Sequence, residues 1–136
     1  MTSTNGNNDA SRNVALSFFE NLAAGRYAAA FQLLAPDVVF EVIAPAPYGR
    51  IMDRDGVIAF NTEIMGPAFS GPFTVTVTNV IAEGERVAVE TRAQSTTKRG
   101  KHYENRLHSS IVVRNGQIVE LREYLDSAAL LAVFAN

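Results

Sequence analysis

KHYENRLHSSIVVRNGQIVELREYLD, residues 101–126, contains two extended segments and the turn that joins them. At its centre, Asn115-Gly116 supplies two neighbouring residues that tolerate φ > 0, the pair a two-residue hairpin turn requires. Lys101–Arg114 and Gln117–Leu125 therefore predict adjacent antiparallel strands. Asp126 or Ser127 then offers a side-chain oxygen to cap a short apolar helix, Ala128 to Phe134.

The pattern continues upstream. Phe73-Thr-Val-Thr-Val-Thr alternates apolar and polar residues, as a strand with one wet face must. Gly84 turns the chain into Arg86–Thr97, and Gly100 turns it again into Lys101–Arg114. Together these segments predict a meander of long strands with one greasy face.

The first half of the chain has a different period. Val14, Phe18 and Leu22 fall four apart with Ala15 and Phe19 beside them, so a first helix, capped by Asp9 or Ser11, carries a broad apolar stripe. Gly25 is placed to end it in the left-handed region. Tyr27, Phe31 and Leu34 share a face of a short second helix that Pro36 stops. Val38 to Ile43 is rich in β-branched residues and predicts a strand, followed by the proline-bounded loop 44–49. Asp53 caps a third helix that buries Val57, Phe60, Ile64 and Met65 and closes at Gly66-Pro67.

Helices first and antiparallel strands later define an α+β domain. Three N-terminal helices must cover one face of the sheet. A strongly curved sheet wrapped over them leaves a conical cavity at its open end. Residues 1–10 are polar and read as a disordered tail, leaving 11–136 as a single domain.

Composition narrows the function. The 136 residues are 47% hydrophobic and 19% charged, enough for one core without a disulfide or metal staple. With no cysteine, thiol catalysis and Cys-ligated zinc are excluded. Two histidines leave little for a metal site, and no phosphate-binding or metalloprotease motif occurs, so neither metal nor cofactor is expected. A net charge of −2 without a long basic run argues against nucleic acid as a partner. The longest apolar run, Ala128 to Ala135, is far shorter than the ~20 residues of a membrane span. The N-terminus lacks an apolar signal region, so the expected location is cytoplasmic.

Strand phase ranks the polar residues. Glu123 shares its face with Val119, Leu121 and Leu125, where a carboxylate is costly unless paired or protonated. It is either an acid/base group in the cavity or a structural carboxylate paired with Arg92 or a hydroxyl. Arg92 alternates in phase with Glu90 and Gln94 and points outward unless a bulge redirects it. His108 is in phase with Glu104 and Arg106, opposite Leu107, Ile111 and Val113. Tyr103 and Asn105 share the apolar face and would line the cavity, or form a hydrogen-bonded core pair. Tyr48, in the proline loop, is either a lid over the mouth or a surface aromatic.

The stretch from His102 through the Asn-Gly turn to Arg122-Glu123-Tyr124-Leu125-Asp126 resembles the SnoaL-like branch of the nuclear transport factor 2-like superfamily. So does Leu-Leu-Ala-Pro-Asp-Val-Val-Phe (33–40) after the first helix. The resemblance implies a cone of three helices packed in a curved antiparallel sheet with a short C-terminal helix. It implies a hydrophobic small-molecule partner and a homodimer formed through the outer sheet face.

Three activities of related proteins can be compared residue by residue. The tyrosine of ketosteroid isomerases falls on Phe18, their base on Val42 and their late aspartic acid near Ser109 or Ser110, so that set is lost. Epoxide hydrolases of this superfamily match at Glu123 and Arg92 but meet Gln94 where a second carboxylate belongs. SnoaL-like cyclases match at Glu123, while their histidine partner counts to Ser109, one residue from His108. One residue of register moves a side chain to the other face.

These readings lead to an expected cofactor-free enzyme of isomerase, cyclase or dehydratase type. Glu123 would move the proton, and Tyr103, Asn105, Arg92, Tyr48, Phe18 and His108 are the candidate binding residues. The alternative is a non-catalytic binding module with the same cone.

Overall fold

The computed structural model describes residues 4–135. Helix α1 (Thr4–Ala23) and the short α2 (Tyr27–Gln32) lead into strands β1 (Leu34–Ile43) and β2 (Arg50–Met52). Helix α3 (Arg54–Phe60) follows, and then β3 (Thr74–Glu83), β4 (Arg86–Thr96), β5 (His102–Arg114), β6 (Gln117–Leu125) and α4 (Ser127–Phe134). The six strands form one sheet in the order β2-β1-β6-β5-β4-β3.

The expected α+β cone is present. Asn115 (φ 54°) and Gly116 (φ 77°) both occupy the left-handed region at the β5–β6 turn, as inferred from their adjacency. Asp53 and Asp126 cap α3 and α4, each accepting hydrogen bonds from backbone N–H groups of the first turn. Ala15, Phe18 and Phe19 of α1 meet Val87, Val89, Ile111 and Leu121 of the concave face, so the helical stripe and the inner sheet face make one core. Fully burying a side chain of the size of Leu121 contributes roughly 1.5–3 kcal/mol. Among the described residues no helix is long and apolar enough to cross a membrane.

Several expectations are corrected. The sheet is not wholly antiparallel, since β1 runs parallel to β6, with Phe40 opposite Leu121 and Val42 opposite Glu123. Residues 4–10 continue α1 where a tail was expected, and residues 1–3 of that tail lie outside the described part. Asn8 Oδ1 accepts a 2.6 Å hydrogen bond from the Gly84 N–H, a tertiary tie that outweighs the modest helix propensity of these residues. Asp9 and Ser11 therefore sit inside the helix instead of capping it.

Leu34 belongs to β1 and not to α2, and Pro36, expected to stop that helix, lies inside the strand. Pro36 lies where the β1–β6 register shifts between Leu34 and Val39, and a broken ladder is where a strand tolerates proline. The third helix changes form before Gly66: α3 ends at Phe60, a π-helical turn spans Asn61–Met65, and a 3-10 turn spans Gly66–Ala68. A Cβ on Gly66 would lie 2.9 Å from the Asn61 carbonyl oxygen, so this close approach favours glycine.

Bulges produce the curvature. In β3 the pairing slips between Val77 and Asn79, and the core-facing set changes from Val75 and Val77 to Val80 and Ala82. In β6 a slip between Ile118 and Glu120 puts Ile118 into the core. Val119, expected on the inner face, stays half-buried beside it. Each slip bends its strand, and together they open the sheet around the helices.

Candidate active site

Glu123 and Ser109 are directly opposed on β6 and β5, and both side chains line a partly open hollow of about 200 Å³ between the helices and the sheet. Its walls are chiefly apolar, with rings of Phe18, Phe31, Phe40 and Phe60 contributed by both helices and sheet. Five lining residues bring polar groups: Glu123, Tyr103, Ser109, Thr91 and Asn61. Among the described residues no lysine, arginine or histidine lines the hollow. An engineered apolar cavity of roughly 150 Å³ holds benzene, so this space suits a one- or two-ring molecule.

Glu123 is the centre of the site's electrostatics. Leu121 and Leu125 flank it on the same face, as strand phase predicts. Among the described residues no hydrogen bond or ion pair reaches its carboxyl group. The side chain keeps its partial exposure at the wall of the hollow, while the dense protein around it pushes its pKa up from 4.5 to about 7 by desolvation. A carboxyl group in that range changes protonation state near neutral pH, as proton transfer demands.

Tyr103 supplies the complementary group. Its ring is held edge-on by Phe69 at 5.3 Å and Phe73 at 6.2 Å between centroids. Burial pushes the phenol up to about 12, the charges of Glu123 and Asp126 add to the rise, and a hydrogen bond from Asn105 opposes it. The phenol therefore stays protonated at working pH. Since Asn105 Nδ2 donates to the phenol oxygen at 2.9 Å, the Tyr103 O–H proton remains free to donate elsewhere.

Phe18 and Tyr103 thus line the hollow, and four other candidate binding residues do not. Asn105 is buried but does not line the hollow. Its amide donates to the Asp126 carbonyl at 3.0 Å and accepts from the Asp126 N–H at 2.9 Å, joining β5 to the start of α4. It is a satisfied core group that orients Tyr103. Arg92 points to the outer face, where its guanidinium is 2.7 Å from a Glu104 carboxylate oxygen. The β3–β4 bulge lies past it, so β4 keeps its plain alternation there, and Thr91 faces inward instead.

His108 is exposed on the outer face, with its ring 6.5 Å from that of Tyr124. The β5–β6 register pairs Ser109 with Glu123, so no acid–histidine dyad forms. Tyr48 stacks on Phe134 of α4 at 4.3 Å between ring centroids and does not line the hollow. Here an aromatic contact fastens the 44–49 loop to the last helix.

Ser109, Thr91 and Asn61 were missed as site residues. Ser109 follows Tyr103, Asn105 and Leu107 in one strand phase, so its inward direction was available from alternation. Asn61 had no comparable signal, because its direction depends on the π-turn. Among the described residues no cluster of His, Asp or Glu could hold a metal ion.

The described residues thus form a bulged cone around helices, with an acid on the wall of an apolar hollow. The SnoaL-like domain profile matches residues 15–121, and the chain belongs to that family. No curated protein matches the sequence. Among solved structures, wild-type IdmH from Streptomyces antibioticus, assigned as a polyketide cyclase, is 24% identical with a TM-score of 0.74, covering 91% of this chain and 97% of its own. An NTF2-like protein of unknown function from Burkholderia pseudomallei is 21% identical with a TM-score of 0.81, covering 93% and 98%. A protein from Kribbella flavida assigned as a ketosteroid isomerase is 21% identical with a TM-score of 0.68, covering 88% and 79%.

Proposed function

We propose that this SnoaL-like domain is an enzyme that moves a proton within a hydrophobic or aromatic small molecule, in a reaction of isomerase, cyclase or dehydratase type. The observation that carries this reading is the unpaired Glu123 carboxyl group in an apolar hollow. In its ionised form Glu123 accepts a proton from a bound substrate, and afterwards it returns that proton at a second atom. Tyr103, neutral and with its O–H free, donates to the oxygen on which negative charge develops. Phe18 and the other rings hold the substrate by dispersion and exclude water, and no cofactor is required for this sequence of steps. The likeness to IdmH and to the Kribbella protein supports a proton-transfer chemistry without specifying it.

A pH–rate profile tests the assignment. With Glu123 acting first as base, kcat/KM should fall about tenfold per pH unit below an inflection near 7 and level off above it. An inflection at the ordinary carboxylate value, or a profile flat from pH 5 to 9, would select the rival reading of a binding module.

The functional unit is a homodimer built through the outer sheet face. That face exposes Val39, Ile51, Ile81 and Tyr124 between charged residues, with Ile81 68% and Ile51 66% accessible. Arg92 pairs with Glu104 and Arg122 with Glu41 on the same surface, which lowers the net charge a two-fold partner would meet. Light scattering at micromolar concentration should give twice 14.8 kDa, and a single 14.8 kDa species would refute the dimer.

A further inference from the structure

Three of the polar groups of the hollow lie side by side. Glu123 on β6 and Ser109 on β5 are directly opposed, which places their Cβ atoms about 5 Å apart. Ser109 pairs on its other side with Val89, and Thr91 stands two residues further along β4. Thr91 is therefore the diagonal neighbour of Ser109, about 7 Å away on the same concave face. The three side chains form a polar stripe across three adjacent strands in a sheet floor whose other residues, the Tyr103 phenol apart, are apolar.

Neither hydroxyl has a hydrogen-bond partner among the described residues, although Ser109 is only 2% and Thr91 5% exposed. Hydroxyl groups this well enclosed and facing a cavity are satisfied by what occupies it. The charge around them is equally selective. Among the described residues Glu123 is the sole charged one lining the hollow, so a carboxylate or phosphate on the ligand would meet a like charge and no cation from them.

Resting on the reading of this hollow as the substrate site, we infer that the substrate is an uncharged one- or two-ring compound carrying two oxygen functions along one edge. One oxygen is taken by the Glu123–Ser109 pair and the other by the Thr91 hydroxyl. The stripe thus supplies the specificity of the site, and the rings supply its affinity.

Calorimetric titration with four probes at pH 8 tests this: naphthalene-1,3-diol, 2-naphthol, naphthalene and 2-naphthoate. A hydrogen bond that completes a buried polar group is worth roughly tenfold in affinity. The diol should therefore bind about tenfold more tightly than 2-naphthol, which in turn should exceed naphthalene by a similar factor. Thr91→Val should erase the first step alone, and Ser109→Ala should shrink the second, which the Glu123 carboxylate still supports in part. The retained affinity of each variant for naphthalene reports an intact cavity. No binding of 2-naphthoate is expected.

Equal affinities for diol, naphthol and naphthalene would overturn the inference, as would naphthoate binding as tightly as naphthol or no probe binding at all. So would a loss in both variants that falls equally on every probe, because that marks a structural role. Turnover is not read in this experiment. A failed stripe with a pH profile centred near 7 would leave the proton-transfer reading standing, while a graded stripe with a flat profile would leave only a specific binder.

Discussion

Glu123→Gln should lower turnover of a genuine substrate by about 10²- to 10⁴-fold while changing ligand affinity only a few-fold. Glutamine keeps the shape and hydrogen-bonding reach of the side chain but cannot take up or release a proton at working pH. The surroundings make this substitution unusually clean. No hydrogen bond or ion pair to the carboxyl group is lost among the described residues, and the flanking Leu121 and Leu125 need not move. Steady-state kinetics should therefore place the defect in kcat with KM little altered, since the interaction removed belongs to the transition state. A variant that turns substrate over at the parental rate would show that Glu123 is not the proton carrier. A variant with normal kcat and a much raised KM would assign it to binding instead.

The same substitution should stabilise the protein, by an amount that grows as pH rises from 4.5 to about 7 and is constant above. The pKa of Glu123 rises from 4.5 in the unfolded chain to about 7 in the folded one, so between these values the folded state holds the extra proton. Stability must then decline as pH rises through this window, because the folded state gives up a proton that the unfolded chain has already lost. Below pH 4.5 both states are neutral at this position and the penalty vanishes. Above 7 it is complete, at about 3 kcal/mol. Glutamine escapes this penalty at every pH.

Thermal unfolding of parent and variant should accordingly agree at pH 4.5 and separate as pH rises. The variant should gain on the order of 10 °C by pH 8.5. Superimposable curves across the whole range would mean that the carboxylate is as well solvated in the folded protein as in water. That result would remove the physical basis for an acid/base role. A group that destabilises the fold and assists the chemistry is the usual trade at an active site.

The legibility of the chain follows the range of the interactions involved. Local chemistry was readable: Asn115-Gly116 specifies its own turn, Asp53 and Asp126 cap from their own side chains, and Val14, Phe18 and Leu22 make their stripe by spacing alone. Features set by distant partners were not. Asn8 extends α1 through a bond to Gly84, seventy-six positions away, and Pro36 sits in a strand because β6 breaks register beside it. At the site, alternation placed Glu123 and Tyr103 inward and His108 and Arg92 outward. It could not say that Asn105, in the inward phase, would be consumed by the Asp126 backbone before reaching the hollow.

From sequence alone come the α+β class, the helical stripe, the hairpin and one carboxyl group on an apolar strand face, because each depends on residues a few positions apart. The tertiary structure alone decided that Glu123 stands opposite Ser109 and not a histidine, that Arg92 is spent on Glu104, and that a π-turn delivers Asn61. These depend on register between strands and on bulges, where a shift of one residue reverses every side chain.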